Sequence, residues 1–444
     1  MRTQNIKMKR FFIAALFLAF SAYLSVKDIF SGTSSVIVQF VKNAPSAAIR
    51  DPLTKEKSKK KILFTKNIAP LIFKNCTSCH RPGQVAPFSL LTYEDVRRHS
   101  KEIVELTAKR QMPPWKAKHG YGSFLGERRL SDEEIRMIAQ WVKSGMEFGE
   151  EKDLPAAPVY ADAWQMGTPD LIIYMPETMT IPANDPDFFM SFVIPLDLPE
   201  DKYIRGMDIL PSNRKVVHHT TLLMDAMGNA RKEEEKVMRG EMRSVANPSA
   251  REKMIGGWAP GGQARPYPEG LARLLPKNAD LILETHFHPT GKTEVERTAI
   301  GLYFADKKQP KEPVDMIFSN VNIDIPPNTV KDLKIERVLD DDLTVYGIAG
   351  HAHFICKEIK VHAILPDNKD VPLLWITDWD FNWQEQYRYE KPFVLPKGTR
   401  ILADFIFDNT GENIRNPNSP PTRIKYGGES RNEMANIMLN TIPK

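Results

Sequence analysis

Cysteine is scarce: only Cys76, Cys79 and Cys356 occur in 444 residues, too few for a framework of disulfides to hold together an exported protein of this size. A charge excess is missing as well. The formal net charge is +5, and much of the basic surplus falls near the N-terminus, so nothing in the balance points to a nucleic-acid partner. No internal repeat of fixed short period occurs, which sets aside a repeat architecture. Apolar content is not lacking, as it would be in a disordered chain: hydrophobic residues make up 42% and charged residues 26%, the balance of ordinary folded proteins. The length exceeds what one hydrophobic core usually serves, so two or three domains are expected.

Arg2, Lys7, Lys9 and Arg10 precede the apolar run Phe11 to Leu24, and small and polar residues follow from Ser25 to Ser35. Residues 1–30 have the layout of a signal peptide. The alternative is an uncleaved anchor, because no clean A-x-A site follows and the run approaches the roughly 20 residues that span a bilayer. Either way the rest of the chain is expected to be exported, periplasmic or extracellular, with membrane association possible through this segment. Residues 31–62 read as a linker, in which Lys55 to Lys61 form a solvated tether or a stretch drawn to anionic lipid. Residues 63–150 read as a small all-helical domain: Ser131-Asp-Glu-Glu134 is a capping box that leads into Ile135, Ile138, Ala139 and Val142 at helical spacing, with Gly145 as the stop. Beyond about 155 the period changes to two. Leu171 to Tyr174, Phe192 to Leu196, Leu281 to His286, Ile359 to Leu365 and Ile401 to Phe407 read as short strands bounded by turn residues. Two all-β antiparallel sandwiches of jelly-roll type are therefore expected, over 151–310 and 311–444, with Arg231 to Arg243 as a helical surface insertion.

Cys76-Thr-Ser-Cys79-His80 is a C-x-x-C-H pattern, in which two thiols bond to the vinyl groups of a haem and the adjacent imidazole reaches the iron. A redox-active C-x-x-C would want a βαβ context, and half of a zinc site would need two further ligands nearby. Neither context is present, so haem c is expected. The second axial ligand is assigned to Met112, held in a rigid loop by Pro113 and Pro114, rather than to Met137, which packs within a helix; His99 or His119 could give bis-imidazole ligation instead. Residues 63–150 resemble small class I cytochrome c domains.

Of ten histidines, six form three tight pairs beyond residue 200: His218-His219, His286-Phe-His288 and His351-Ala-His353. On a strand, residues i and i+2 share a face, so His351 and His353, or His286 and His288, can grip one ion from one side. Adjacent His218 and His219 point to opposite faces of a regular strand, and joint ligation requires a bulge or a strand end. Imidazoles alone suit copper or zinc, whereas an added thioether favours copper. Taken one pair at a time, each could be a surface or structural group.

The order Val217-His218-His219, Leu283-Glu-Thr-His286-Phe, His351-Ala-His353 and Gly427-Gly428-Glu-Ser-Arg-Asn-Glu433-Met434-Ala-Asn436 makes residues 169–440 similar to the copper type II, ascorbate-dependent monooxygenases. The resemblance implies two copper ions. His218, His219 and His286 would hold an electron-transfer copper, and His351, His353 and Met434 the copper that activates dioxygen, where a substrate hydrogen is abstracted and the carbon hydroxylated. His288 has no role in that pattern and reads as a supporting group, an alternative ligand or a solvated histidine. Peptide-hydroxylating relatives clamp a substrate carboxylate with an Arg and a Tyr, where this chain has Ala349 and Met438. Asn436 is retained, but one amide does not replace a guanidinium, so a small neutral or apolar substrate is expected. Relatives take two electrons from ascorbate; here an external donor, either such a reductant or a redox protein, would feed the copper through the fused haem. Rival readings are a non-catalytic haem and copper carrier and a zinc-dependent hydrolase. Cys356 is expected to be buried and inert, and Trp375, Trp379 and Trp383 to belong to a sandwich core rather than a pocket.

Overall fold

In the computed structural model the α-helices Ala69–Asn75, Tyr93–Arg98, Ser100–Ala108 and Asp132–Lys143 all precede the first strand, Leu171–Tyr174. The described residues are 61–444 without 161–163, 185–186, 228–229, 232–251, 260–261, 307–309, 429–430 and 444. The expected signal segment and nearly all of the linker lie outside them, as does the body of the expected insertion Arg231 to Arg243. Among the described residues no helix is long and apolar enough to cross a membrane.

The helix Asp132–Lys143 begins as its sequence dictates. The Ser131 hydroxyl accepts from the Glu134 backbone N–H and the Glu134 carboxylate accepts from the Ser131 N–H, so two end groups of the helix are satisfied reciprocally. Gly145, at φ 98°, then turns the chain out of the helix. Ile138 and Trp141 on its inner face pack with Phe64, Ile68 and Ile72 into a core of their own.

The remainder is antiparallel β-sheet, so the molecule is mostly β with few helices. One four-stranded sheet runs, in spatial order, Leu171–Tyr174, Ala299–Phe304, Lys202–Leu210, Arg273–Leu275; a second runs Phe188–Pro195, Asp280–Phe287, Val217–Asp225, Glu252–Trp258. Ile204, Ile300 and Leu302 from the first meet Ile194, Leu222 and Leu281 from the second in one buried cluster. Later in the chain a third sheet runs Val314–Ser319, Asn436–Ile442, Leu343–His351, Tyr387–Leu395, and a fourth runs Thr329–Val338, Arg400–Asn409, Cys356–Ile364, Asp370–Ile376. Alternation explains the pairing: along Arg400–Asn409 every second residue is buried, and Ile401, Ala403, Phe405 and Phe407 face Val345, Ile348 and Ile437 across one core. Residues 115–125 do not stay with the helices. Ala117 bridges to Ile376 and Phe124 to Tyr389, and both Ala117 and Phe124 are buried in the core of the later sheets.

Candidate metal centres

His218 and His219 become neighbours on one side of their strand through an irregularity. Val217 faces Phe287 and His219 faces His286, so two steps along Val217–Asp225 answer one step along Asp280–Phe287 and His218 is left without a register partner. This is the bulge that joint ligation demands. Nδ1 of His218 lies 3.0 Å from Nδ1 of His219 and 3.0 Å from Nδ1 of His286, and the candidate ligand atoms of all three lie within 4.8 Å of one another. Nitrogens held about 2.0–2.1 Å from one ion stand roughly 3.3–3.6 Å apart, so these rings need to open by only a few tenths of an ångström. Burial, and then the neighbouring His286, pushes His218 down to about 4. Burial pushes His219 well below the usual imidazole range, with further contributions from His286, His218, His351 and His353. Both rings are therefore neutral near pH 7, the state a metal requires.

His288 stays outside this cluster but is not idle. Asp187 accepts from His288 Nδ1 at 2.8 Å and from His286 Nε2 at 3.3 Å. Fixing the His286 proton on Nε2 leaves its Nδ1 lone pair toward His218 and His219. The ring of Phe189 stacks on His286 at 4.2 Å.

His351 ends the strand Leu343–His351, and His353 follows it in a turn. Their ring centroids are 5.3 Å apart. His351 Nδ1 donates to Gln384 Oε1 at 2.7 Å and His353 Nδ1 to the Asn432 carbonyl at 3.0 Å, which puts both protons on Nδ1 and makes Nε2 the atom that could hold a metal. Met434 belongs to the stretch beside them: His353 touches Asn432, and His351 pairs in register with Asn436. Glu433 ties that stretch down. Its fully buried carboxylate accepts from the backbone N–H of His353 at 2.7 Å, of Ile355 at 2.8 Å and of Met434 at 3.2 Å. Burial raises it to about 8, against the pull of those N–H groups. Nothing in residue type alone marks Glu433; its place before Met434 was the available signal.

Within the segment Trp379–Gln384, only the tryptophans had a reading from the sequence, as core residues. Trp379 is 1% exposed, a core residue as expected, but its Nε1 also donates to the His353 carbonyl at 3.0 Å. Phe381, 4% exposed, has its ring centroid 6.2, 6.1 and 6.3 Å from those of His218, His219 and His286 and 5.5 Å from that of His353. One aromatic ring thus packs near both imidazole groups. Trp375 carries Lys118 Nζ over its face at 3.4 Å, and Trp383 lines a cavity.

Cys76 caps the helix Ala69–Asn75, and the backbone N–H of both Cys79 and His80 returns to the Cys76 carbonyl at 3.1 and 2.9 Å. Both thiols are free, and burial pushes that of Cys76 up to about 12. His80 Nδ1 donates to the Phe88 carbonyl at 3.2 Å, which leaves Nε2 as the atom that could hold an iron. Burial lowers its pKa. The donor set is the one a covalently attached haem uses. Met112 is 37% exposed and lines a cavity of about 770 Å³ with Trp115, Lys116, Asp378 and Trp383; His80 does not line it, so the two expected axial ligands do not share a cavity. His99 stacks on Phe88 at 3.7 Å, and Phe88 lies 4.7 Å from His80. His119 pairs with Glu127 at the surface, Met137 packs beside the helical core, and Cys356 is buried, as expected.

No protein-family model matches the chain, and no curated protein matches it. Among solved structures it is similar to PBCV-1 VP54 as fitted into the virophage Sputnik, with 7% identity and a TM-score of 0.22 over 64% of this chain and 95% of that one. It is similar to PNGF-II with 9% identity and a TM-score of 0.24, over 62% of this chain and 65% of that one. Likenesses this remote carry no argument about function.

Proposed function

We propose that this protein is a copper-dependent monooxygenase that hydroxylates a small neutral or apolar substrate with dioxygen and receives electrons through a fused c-type haem. In this reading a class I cytochrome c-like helical domain precedes two jelly-roll-like sandwiches, and the chain is exported. The observation that carries it is the convergence of three imidazole Nδ1 atoms in one cluster beside a second pair whose Nδ1 protons are already engaged. His218, His219 and His286 would hold one copper; His351, His353 and Met434 would hold the other, a two-imidazole, one-thioether set that suits the cuprous ion. Cys76, Cys79 and His80 would hold the haem, with Met112 as the proposed second ligand.

Copper would supply dioxygen activation and haem would supply electrons; the chain orients and excludes. Asp187 fixes the tautomer of His286, Gln384 that of His351, and Glu433 locks the backbone of His353 to that of Met434. Ala349 and Met438, where peptide-hydroxylating relatives carry their cationic and phenolic clamp, are direct register partners. They share a sheet face with His351 and Asn436. Asn436 there has its Oδ1 buried without a hydrogen-bond partner, an acceptor suited to a single donor on the substrate.

Support for the electron route comes from the turn before His218. Arg214 donates to Gln84 Oε1 and, at 3.4 Å, to the Gly83 carbonyl. A cavity of about 530 Å³ lies between Arg81–Ser89 and Ser212–Lys215. The loop that follows the haem motif therefore rests on the strand entry of the three-histidine cluster.

The test is oxygen uptake by haem- and copper-loaded protein over a panel of neutral small molecules, with mass spectrometry for an added oxygen atom. Uptake coupled to one such product, and abolished in His353→Ala, is expected. Absence of carbon monoxide or azide binding to the copper-loaded protein, together with no product, would overturn the reading in favour of a closed carrier.

A further inference from the structure

Phe381 packs against two groups of imidazoles drawn from three separate places in the chain. Its ring centroid lies 6.1–6.3 Å from those of His218, His219 and His286 and 5.5 Å from that of His353, and Phe354 packs against it at 4.5 Å. Such a ring would be a poor barrier if its backbone could swing away. It cannot do so easily. Lys116 pairs with Asp378 at 2.8 Å, and Arg415 pairs with the same carboxylate at 2.7 Å. The Trp379 N–H donates to the Lys357 carbonyl at 2.8 Å and its indole to the His353 carbonyl at 3.0 Å. On the far side Gln384 donates from Nε2 to the Phe381 carbonyl at 3.0 Å while accepting from His351 at 2.7 Å. The ring is thus held by groups that also hold the histidines.

A packed ring beside both candidate ion sites does two things. It displaces water from the gap, because an apolar group that fills the space leaves no polar partners for a solvent molecule. It also limits the breadth of any molecule approaching His351 and His353 from that side, because close-packed interiors give way little to an extra methylene. We propose that Phe381 is the specificity-determining wall of the His351 and His353 site, admitting slender apolar ligands and rejecting broad ones. The inference rests on the copper reading of that site and adds the substrate shape that the reading leaves open.

Alkyl and aryl isocyanides test it, since they ligate cuprous ions and come in graded widths. Binding of methyl, n-butyl and benzyl isocyanide to the reduced, copper-loaded protein is followed by the infrared C≡N stretch, and the signal lost in His353→Ala is assigned to this site rather than to haem or the three-histidine cluster. The native protein should bind the methyl compound and discriminate against the benzyl one by about 10–200-fold, the range a steric mismatch of a carbon or so gives in an apolar pocket. Phe381→Ala should reduce that discrimination at least several-fold, and Phe381→Leu, which keeps most of the packing, should fall between. Equal binding of all three compounds by the native protein overturns the inference, as does unchanged discrimination in both variants. Failure of even methyl isocyanide and carbon monoxide to bind through His353 overturns the copper reading itself.

Discussion

Asp187 serves two imidazoles at once, holding His288 at the surface and His286 in the cluster. A carboxylate behind a ligating histidine sets its tautomer and raises its basicity, and removing such a partner typically weakens metal binding by about 10–100-fold. Asp187→Asn keeps the shape but loses the charge, so copper affinity of the three-histidine cluster should fall within that range, read by competition of the apo-protein with a chromophoric cuprous chelator. His288→Ala, which leaves the contact between Asp187 and His286 in place, should change the affinity far less. Equal losses in the two variants would show that His288 ligates directly. Glu433 plays the corresponding part for the other pair, through backbone rather than imidazole. Its carboxylate satisfies three N–H groups that would otherwise be buried without partners, each costly to leave unmade.

Elements carry the same logic through their ends and faults. The capping box at Ser131 satisfies two groups at the start of Asp132–Lys143, whose inner face supplies Trp141 to the helical core. Ser131→Ala should cost about 1 kcal/mol. The loss should be local, so native-state hydrogen exchange of the amides from Asp132 to Ile135 should accelerate while those of the β-sheets are unchanged. The strand Val217–Asp225 uses the opposite device: a fault in its ladder brings two successive histidines to one cluster. A regular ladder there would turn one of the two imidazoles to the other face.

At the scale of the whole molecule, two of the described contacts between the helical part and the sheets bear on the candidate sites. Residues 115–125 add to the later sheets, and Arg214 joins the turn before His218 to the loop after His80. Arg214 is close enough to Cys79 and Arg81 for both to influence its charge, and burial lowers its pKa. If electrons pass from the haem to the three-histidine copper through this contact, Arg214→Ala should slow that transfer several-fold after flash reduction of the haem. The haem potential and the copper resonance spectrum should be unchanged. Transfer at the native rate would rule out this route.

Much of this was written in local chemistry. The capping box, the alternation along Arg400–Asn409 and the strand Leu281 to His286 depend on neighbours a few residues apart, so spacing alone revealed them. The grouping of His218 and His219 with His286 came from resemblance, and the required bulge from the fixed geometry of strands. Other features had no local signature. Asp187 meets His286 across a ladder pairing, Glu433 acts through amides some eighty positions away, and Phe381 reaches four imidazoles from a loop that reads only as aromatic. Residues 115–125 left the helical part because apolar side chains bind whichever core has room. The sequence by itself determined which side chains could serve as ligands, the strand periods and the helix ends, since those are set by residue type, bonded geometry and short-range contacts. Only the tertiary structure decided which rings share a proton partner, which carboxylate is buried and which ring packs near both imidazole groups, because burial and long-range contact exist only once distant segments have packed.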